Sequence, residues 1–268
     1  MIQNLKLYFY CSRLIIRGSM LHRFSFFAGI IGQWLGYGAT YFSLYVMVSQ
    51  FGTLENWTAA EVLFMYAFNM LSYSLAASVF FKPCTRLPMR IRNGEFDISL
   101  TRPVNTLFYE LCIGYNFVYI GHFILSFVII ATFSQNINLE FSLKNIILFI
   151  IMLISAVLLQ SAFLLLSSVA SFFFLNNNPV MDFMLKETKR FINYPICIYW
   201  DIIQIILTIF VPVAFISYYP VKAILGKEDN SMFSSSISYF SPIISLVIFL
   251  ISIYIWNLGL SKYKSTGS

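Results

Sequence analysis

The densest group of ionisable side chains in this chain lies between Lys82 and Asn105. The stretch holds five basic residues, two carboxylates and three prolines. Side chains of these types form ion pairs and charge-assisted hydrogen bonds. Because a segment this charged cannot enter lipid, we expect it to lie in water, between the apolar segments on either side.

Uncharged side chains that form hydrogen bonds recur at helical spacing inside three apolar segments. They are Gln33 and Tyr37 in the first, Tyr66, Asn69 and Tyr73 in the second, and Gln204 and Thr208 in a later one. Offsets of three, four and seven residues place such side chains on one helix face, and polar stripes in lipid should point toward protein. Two interpretations stay open: packing inside a helix bundle, or a path for a solute.

No residue pattern typical of an enzyme accompanies these groups. The sequence lacks HExxH, GxSxG and GxxxxGK[ST], so it predicts no zinc peptidase, no nucleophile elbow and no phosphate-binding loop. The four cysteines form no CxxC pair, and His22 and His122 lie far apart, so we expect no metal site. Whether Glu110, His122 and Asp201 act beyond packing stays open.

Composition identifies the class of protein. The chain is 59% hydrophobic and 10% charged, and its mean hydropathy is +0.78. Soluble domains carry about 25% charged residues. Apolar runs long enough to cross roughly 30 Å of hydrocarbon recur along the whole chain, which predicts an all-α integral membrane protein.

Charged residues mark the expected boundaries of six transmembrane helices within one domain, residues 1–268. The predicted spans are residues 24–49, 62–81, 107–133, 145–175, 196–218 and 241–260. Residues 1–23 are basic and amphipathic, which predicts a helix on the inner membrane surface that serves either as a simple basic anchor or as a cytoplasmic platform in contact with a partner. Residues 82–105 form the loop after the second span.

The distribution of Lys and Arg predicts the orientation. Fourteen of the 17 basic residues fall in the N-terminal segment, the loops after the second and fourth spans, and the C-terminal tail. The positive-inside rule therefore places both termini in the cytoplasm. Because topology explains the net charge of +6, a nucleic-acid partner is not expected.

Small residues form one face of the first span. Gly32 and Gly36 make a GxxxG pair on this face, where another helix can approach closely. We expect this face to contact a second membrane protein chain.

The segment 94–104, GEFDISLTRPV, resembles the cytoplasmic signature of ATP-binding cassette type-2 permeases. In that family a G-x-hydrophobic-D-x-x-L-x-x-P pattern follows the second span. The pairs Tyr194-Pro195 and Tyr219-Pro220, together with Pro212 and Gly226, are similar to features of the family's later half.

The resemblance implies a permease subunit that pairs with a second permease, identical or a sister chain, and with two cytoplasmic ATPase subunits. It also implies export of an amphipathic or hydrophobic compound across a bacterial plasma membrane. ATP and Mg²⁺ would bind in the ATPase, and this chain would hold no cofactor.

The resemblance further implies that the basic loop forms a coupling helix, parallel to the membrane, that contacts the ATPase. We expect this helix over Arg90 to Leu100, bounded by Pro88 and Pro103, with a weak point at Gly94. Phe96, Ile98 and Leu100 would fill a groove on the ATPase, while Glu95 and Asp97 pair with arginines or with the partner. The residues assigned to coupling are Arg90, Arg92, Gly94, Glu95, Phe96, Asp97, Leu100, Arg102 and Pro103.

Relatives also suggest a re-entrant hairpin within residues 218–241, with an exposed loop as the alternative. The rival functions are an ion-coupled carrier or channel, a membrane-embedded enzyme and a structural scaffold. A carrier predicts charged residues at the bilayer midplane, and an enzyme predicts a catalytic cluster at one depth. The sequence offers neither, which favours the permease.

Overall fold

The computed structural model describes residues 2–21, 23–51, 53–133, 137, 142–173, 181, 184 and 188–265. Most of these residues are helical. The α-helices are α1 Ile2–Leu21, α2 Arg23–Phe51, α3 Ala59–Arg92, α4 Glu95–Leu100, α5 Thr106–Ile113, α6 Ile120–Phe133, α7 Leu143–Val169, α8 Thr188–Ile192, α9 Asp201–Ile205, α10 Tyr218–Leu225 and α11 Ser241–Lys262. Two short strands, β1 Thr53–Leu54 and β2 Trp57–Thr58, pair as an antiparallel hairpin between α2 and α3.

Three helical stretches are each long and apolar enough to cross a membrane: Ala59–Arg92, Leu143–Phe172 and Ser235–Lys262. Two bent pairs reach that length together. These are α1 with α2, bent by 99°, and α5 with the helix that follows it, bent by 64°. The all-α membrane architecture is confirmed, whereas the count of six spans, the location of the termini and a surface position for α1 stay predictions.

Helix α3 is longer than the second predicted span. It continues through Pro83 and Pro88 to Arg92 instead of ending at residue 81. A proline inside a helix leaves a carbonyl unpaired, and neighbouring segments can restore hydrogen bonding nearby. Here the Asn116 amide donates to the Ser78 carbonyl at 2.8 Å, one turn before Pro83. The expectation that Pro88 bounds the coupling helix is therefore wrong.

The third predicted span, residues 107–133, is broken rather than continuous. Helix α5 ends at Gly114, and the Asn116 side chain caps the turn that leads into α6. A Cβ atom on Gly114 would lie 2.2 Å from Cγ of Pro83, so only glycine lets the two segments approach this closely. The break therefore brings α5 against the proline-containing part of α3.

The fifth predicted span, residues 196–218, is also not one helix. Helix α9 continues as a π-helical stretch, Ile206–Phe210, which ends before Pro212. The Thr208 and Tyr219 hydroxyls lie 3.0 Å apart, although eleven residues of straight α-helix would separate them by roughly 16 Å. The chain therefore folds back near Pro212.

The segment predicted as a hairpin begins with α10. That helix ends at Gly226, whose φ of 60° favours glycine, and residues Ser235–Phe240 then pack against α10. The chain thus reverses direction within residues 218–241, while its depth in a membrane stays a prediction.

Helix α3 lies at the centre of the bundle. Between Val62 and Ala77 nearly every side chain is buried, and α3 packs against α2, α6 and α7. Helix α7 packs in turn against α11. Because α3 is surrounded by other helices, the polar side chains in its middle turns face several neighbouring segments.

We predict that Gly114→Ala lowers thermal stability, because the added methyl group collides with the rigid Pro83 ring. Overpacking of this kind costs about 1–3 kcal/mol. Gly29→Ala is the matched control, since a Cβ atom there meets no atom within 4 Å among the described residues. Melting curves of the purified variants test this, and equal melting temperatures would contradict the close contact.

Candidate functional site

The turn between α3 and α4 places the short helix that follows the basic stretch. Helix α3 ends at Arg92, and Gly94 adopts a φ of 72°, which favours glycine because it has no Cβ atom. Helix α4 then covers Glu95–Leu100. The predicted break at Gly94 is confirmed, but the separate helix is shorter than the expected range from Arg90.

An ion pair joins α3 to α5 beneath this turn. The Arg90 guanidinium contacts the Glu110 carboxylate, and the Glu110 side chain is only 2% exposed. The Ser99 hydroxyl of α4 donates to Glu110 at 2.5 Å, and Arg90 also lies 3.7 Å from Glu95. Three elements therefore meet at one buried carboxylate. Glu110 thus has a defined partner, which its sequence position alone does not reveal.

Phe96 anchors α4 to the bundle. Its side chain is fully buried, and its ring lies 5.6 Å from the ring of Phe172 and 5.2 Å from that of Tyr263. Trp256 of α11 extends the cluster through Phe172. The expectation that Phe96 fills a groove on a partner is therefore wrong, because the side chain is already covered by its own chain.

Asp97 also bonds within the chain. It accepts hydrogen bonds from Tyr263 at 2.9 Å and from Ser265 at 2.6 Å. Burial and this acceptor raise the pKa of Tyr263 to about 12, so the hydroxyl remains a donor at neutral pH. Asp97 thus ties α4 to the end of α11 rather than pairing with an arginine.

The opposite face of α4 and the turn after it are exposed. Ile98, on the face opposite Phe96, is 53% exposed, and Leu100, the last residue of α4, is 43% exposed. Arg92, Glu95, Arg102 and Pro103 are exposed around them. Two apolar side chains ringed by charges form the pattern of a protein contact surface.

Four of the predicted path residues meet in one cavity. Tyr37, Tyr66, Asn69 and Tyr73 line a space of about 200 Å³ in the middle of the bundle. Asn69 bonds to two amide side chains that the sequence reasoning missed: Gln160 at 3.1 Å and Asn193 at 3.2 Å. Both lie in other segments of the chain, so helical spacing within one segment does not reveal them.

The other predicted path residues lie elsewhere. Thr208 bonds to Tyr219, and the side-chain oxygen of Gln204 accepts from the Met232 backbone N–H at 3.0 Å. Both are buried, Gln204 in α9 and Thr208 in the π-helical stretch that continues it. The Gln33 amide oxygen is buried with no hydrogen-bond partner among the described residues. The structure therefore does not bring all seven residues together.

The GxxxG pair of α2 faces open space. Cβ atoms added at Gly32 or Gly36 would meet nothing within 4 Å among the described residues. No described helix of this chain uses the face, and its predicted contact with a second permease stays a prediction.

A second buried ion pair lies at the other end of the bundle, within the segment predicted as a re-entrant hairpin. Lys222 and Asp229 are 2.6 Å apart, with side chains 1% and 0% exposed. Burial opposes ionisation of Asp229, but hydrogen bonds from Lys222, Tyr218 and Ser231 outweigh it and lower its pKa to about 2. Trp57 also donates to Asp229, which joins the β-hairpin to this cluster.

Within the described residues, no group of three or more His, Cys, Asp or Glu side chains is arranged to hold a metal ion. Three other features are candidates for function: the α4 platform, which consists of Glu95–Leu100 with the Arg90–Glu110 pair beneath it, the mid-bundle cavity and the Lys222–Asp229 cluster.

We predict that Glu110→Gln lowers the free energy of unfolding by about 3 kcal/mol, because it removes the buried counter-charge of Arg90 and leaves only the exposed Glu95. Removing both charges in Arg90→Met/Glu110→Gln should recover part of that loss. Glu95→Gln is the control: it affects an exposed partner of the same arginine and should cost less than about 1 kcal/mol. Thermal unfolding measures these three variants and Arg90→Met alone. A double variant as unstable as the sum of Arg90→Met and Glu110→Gln would contradict the pairing.

Comparison with known proteins assigns this chain to a protein family. The chain matched no curated protein and no solved structure in the corresponding comparisons. A family model described as ABC-2 family transporter protein matches residues 35–267, nearly the whole chain. Its range includes the α4 platform, the cavity and the Lys222–Asp229 cluster. The chain therefore belongs to the ABC-2 family of transporter proteins and is a membrane component of the permease type.

Proposed function

We propose that this permease exports an amphipathic or hydrophobic compound across a bacterial plasma membrane, together with two cytoplasmic ATPase subunits and a second permease chain. The family implies an ATP-binding cassette partner, and the sequence carries no phosphate-binding loop of its own. Energy must then reach the chain through a protein contact.

The proposal rests on α4, which is buried against its own chain on one side and exposed on the other. Its inner side is fixed to three helices through Phe96, Ser99 and Asp97, while Ile98 is exposed on its outer side and Leu100 is exposed at its last residue. A partner that binds the outer side can displace the ends of α3, α5 and α11 together. Arg92 and Arg102, exposed beside the apolar residues, supply charges that orient the partner.

The mid-bundle cavity is the proposed binding site for the exported compound. Tyr37, Asn69 and Gln160 each lie near the middle of a long helix, which corresponds to the middle of a bilayer. The lining combines tyrosines with amides and has no charged side chain. Such a surface suits an apolar compound with a few uncharged hydrogen-bonding groups. Gln33, Gln204 and Thr208 would line other stretches of the same path.

The face of α2 that carries Gly32 and Gly36 is the proposed contact with the second permease. Small residues let helix backbones approach closely in lipid, and no described part of this chain covers this face. The second permease is a copy of this chain or a sister chain.

We predict that Ile98→Glu weakens copurification of the partner ATPase at least tenfold while the melting temperature of the permease stays unchanged. A carboxylate at the centre of an apolar contact costs the complex about 2 kcal/mol or more. Ser261→Glu, which adds the same charge at an exposed position of α11, should leave copurification unchanged.

Phe96→Ala tests the inner side of α4. It should destabilise the permease itself by about 3 kcal/mol, because a fully buried ring is lost. A folded Ile98→Glu variant that retains its ATPase and transports at the original rate would overturn the role of α4.

We predict that Asn69→Cys, in a background without the four native cysteines, reacts with a charged thiol reagent added in water. A transport path admits water, whereas a lipid-facing position does not. Ile150→Cys is the control, because Ile150 lies at a similar distance from the start of its helix and is 49% exposed on α7. Equal labelling of both positions, or none at Asn69→Cys with or without ATP, would contradict a path through this cavity.

A further inference from the structure

A groove of about 590 Å³ lies between α3 and α5, on the basic side of the bundle. Lys82, Arg86 and Arg90 face it from successive turns of α3. The contact between Pro83 and Gly114 closes the end toward the bundle, and the Arg90–Glu110 pair lies at the other end. The proposed function assigns nothing to this groove.

The charges in the groove are unbalanced. Its two carboxylates, Glu95 and Glu110, both pair with Arg90. Among the described residues, neither Lys82 nor Arg86 makes a side-chain ion pair or hydrogen bond. Two like charges one helical turn apart repel each other, so this arrangement favours an anion between them.

The position of these two cations along α3 indicates where that anion lies. The twenty residues between Glu61 and Lys82 carry no charge, and a helix of this length spans roughly 31 Å, the thickness of the hydrocarbon core. Arg86 lies one turn, roughly 6 Å, farther out, within a headgroup layer that is about 5–8 Å thick. Lys82 and Arg86 therefore bracket the depth of lipid phosphates, whereas Arg90 lies beyond it.

The groove also has an apolar side. Ile113 lines it next to Gly114, whose contact with Pro83 lies level with Lys82, at the edge of the hydrocarbon core. A ligand with a charged head and a hydrocarbon tail satisfies both parts of this surface, whereas a free inorganic ion uses only one. We propose that the groove binds the phosphate of an anionic phospholipid from the cytoplasmic leaflet, between Lys82 and Arg86.

Native mass spectrometry of the full-length chain with equal amounts of phosphatidylglycerol and phosphatidylcholine tests this site. The unmodified chain should retain phosphatidylglycerol preferentially. Lys82→Gln/Arg86→Gln should weaken that binding about fivefold for each cation removed. Lys262→Gln/Lys264→Gln removes two charges from the tail on the same side of the membrane and should retain the lipid.

Two results would overturn the proposal. One is equal retention of phosphatidylglycerol by the unmodified chain and by a folded Lys82→Gln/Arg86→Gln variant. The other is displacement of the lipid from the unmodified chain by millimolar inorganic phosphate, which would identify a free anion as the ligand. The second measurement needs no variant, so it decides the question even where the double substitution prevents folding.

Discussion

The buried carboxylate of Glu110 is the constraint that organises the basic end of this permease. A charge excluded from water costs several kcal/mol unless it is paired and hydrogen-bonded. Arg90 of α3 supplies the counter-charge, and Ser99 of α4 supplies a hydroxyl group at 2.5 Å. One side chain of α5 therefore fixes the ends of two other helices, and three segments that are separate in sequence become one structural unit.

This unit explains how a helix of six residues keeps a defined orientation. A helix as short as α4 is unstable alone, because nucleation costs more than its few hydrogen bonds return. Phe96 contributes buried apolar area on one side, and Asp97 bonds to Tyr263 at the end of α11. Since these inward contacts already hold α4 in place, its outer face is free to be used for recognition alone.

The sequence predicted the class of this protein better than it predicted where the helices break and which residues make contact. The apolar helices and the turn at Gly94 follow from hydropathy and from the properties of glycine, and the structure has both. Hydropathy measures composition but not continuity, so it missed the breaks at Gly114 and Pro212. It also missed the inward direction of Phe96, since a helix of under two turns has too little periodicity to reveal its buried face. The pair Asn69–Gln160 depends on contacts 91 residues apart.

Helix α3 connects the two ends of the molecule. Its first turn holds Glu61, which pairs with Lys227 at 2.5 Å beside the Lys222–Asp229 cluster, and its last turn holds Arg90. Between residues 59 and 82 the helix contains neither proline nor glycine, so this part is stiff. Pro83 and Pro88 confine bending to the basic end. A displacement of α4 would therefore either bend α3 at these prolines or move the stiff part of α3 as a unit. That part contains Asn69, which lines the cavity, and Glu61, which pairs with Lys227 at the opposite end.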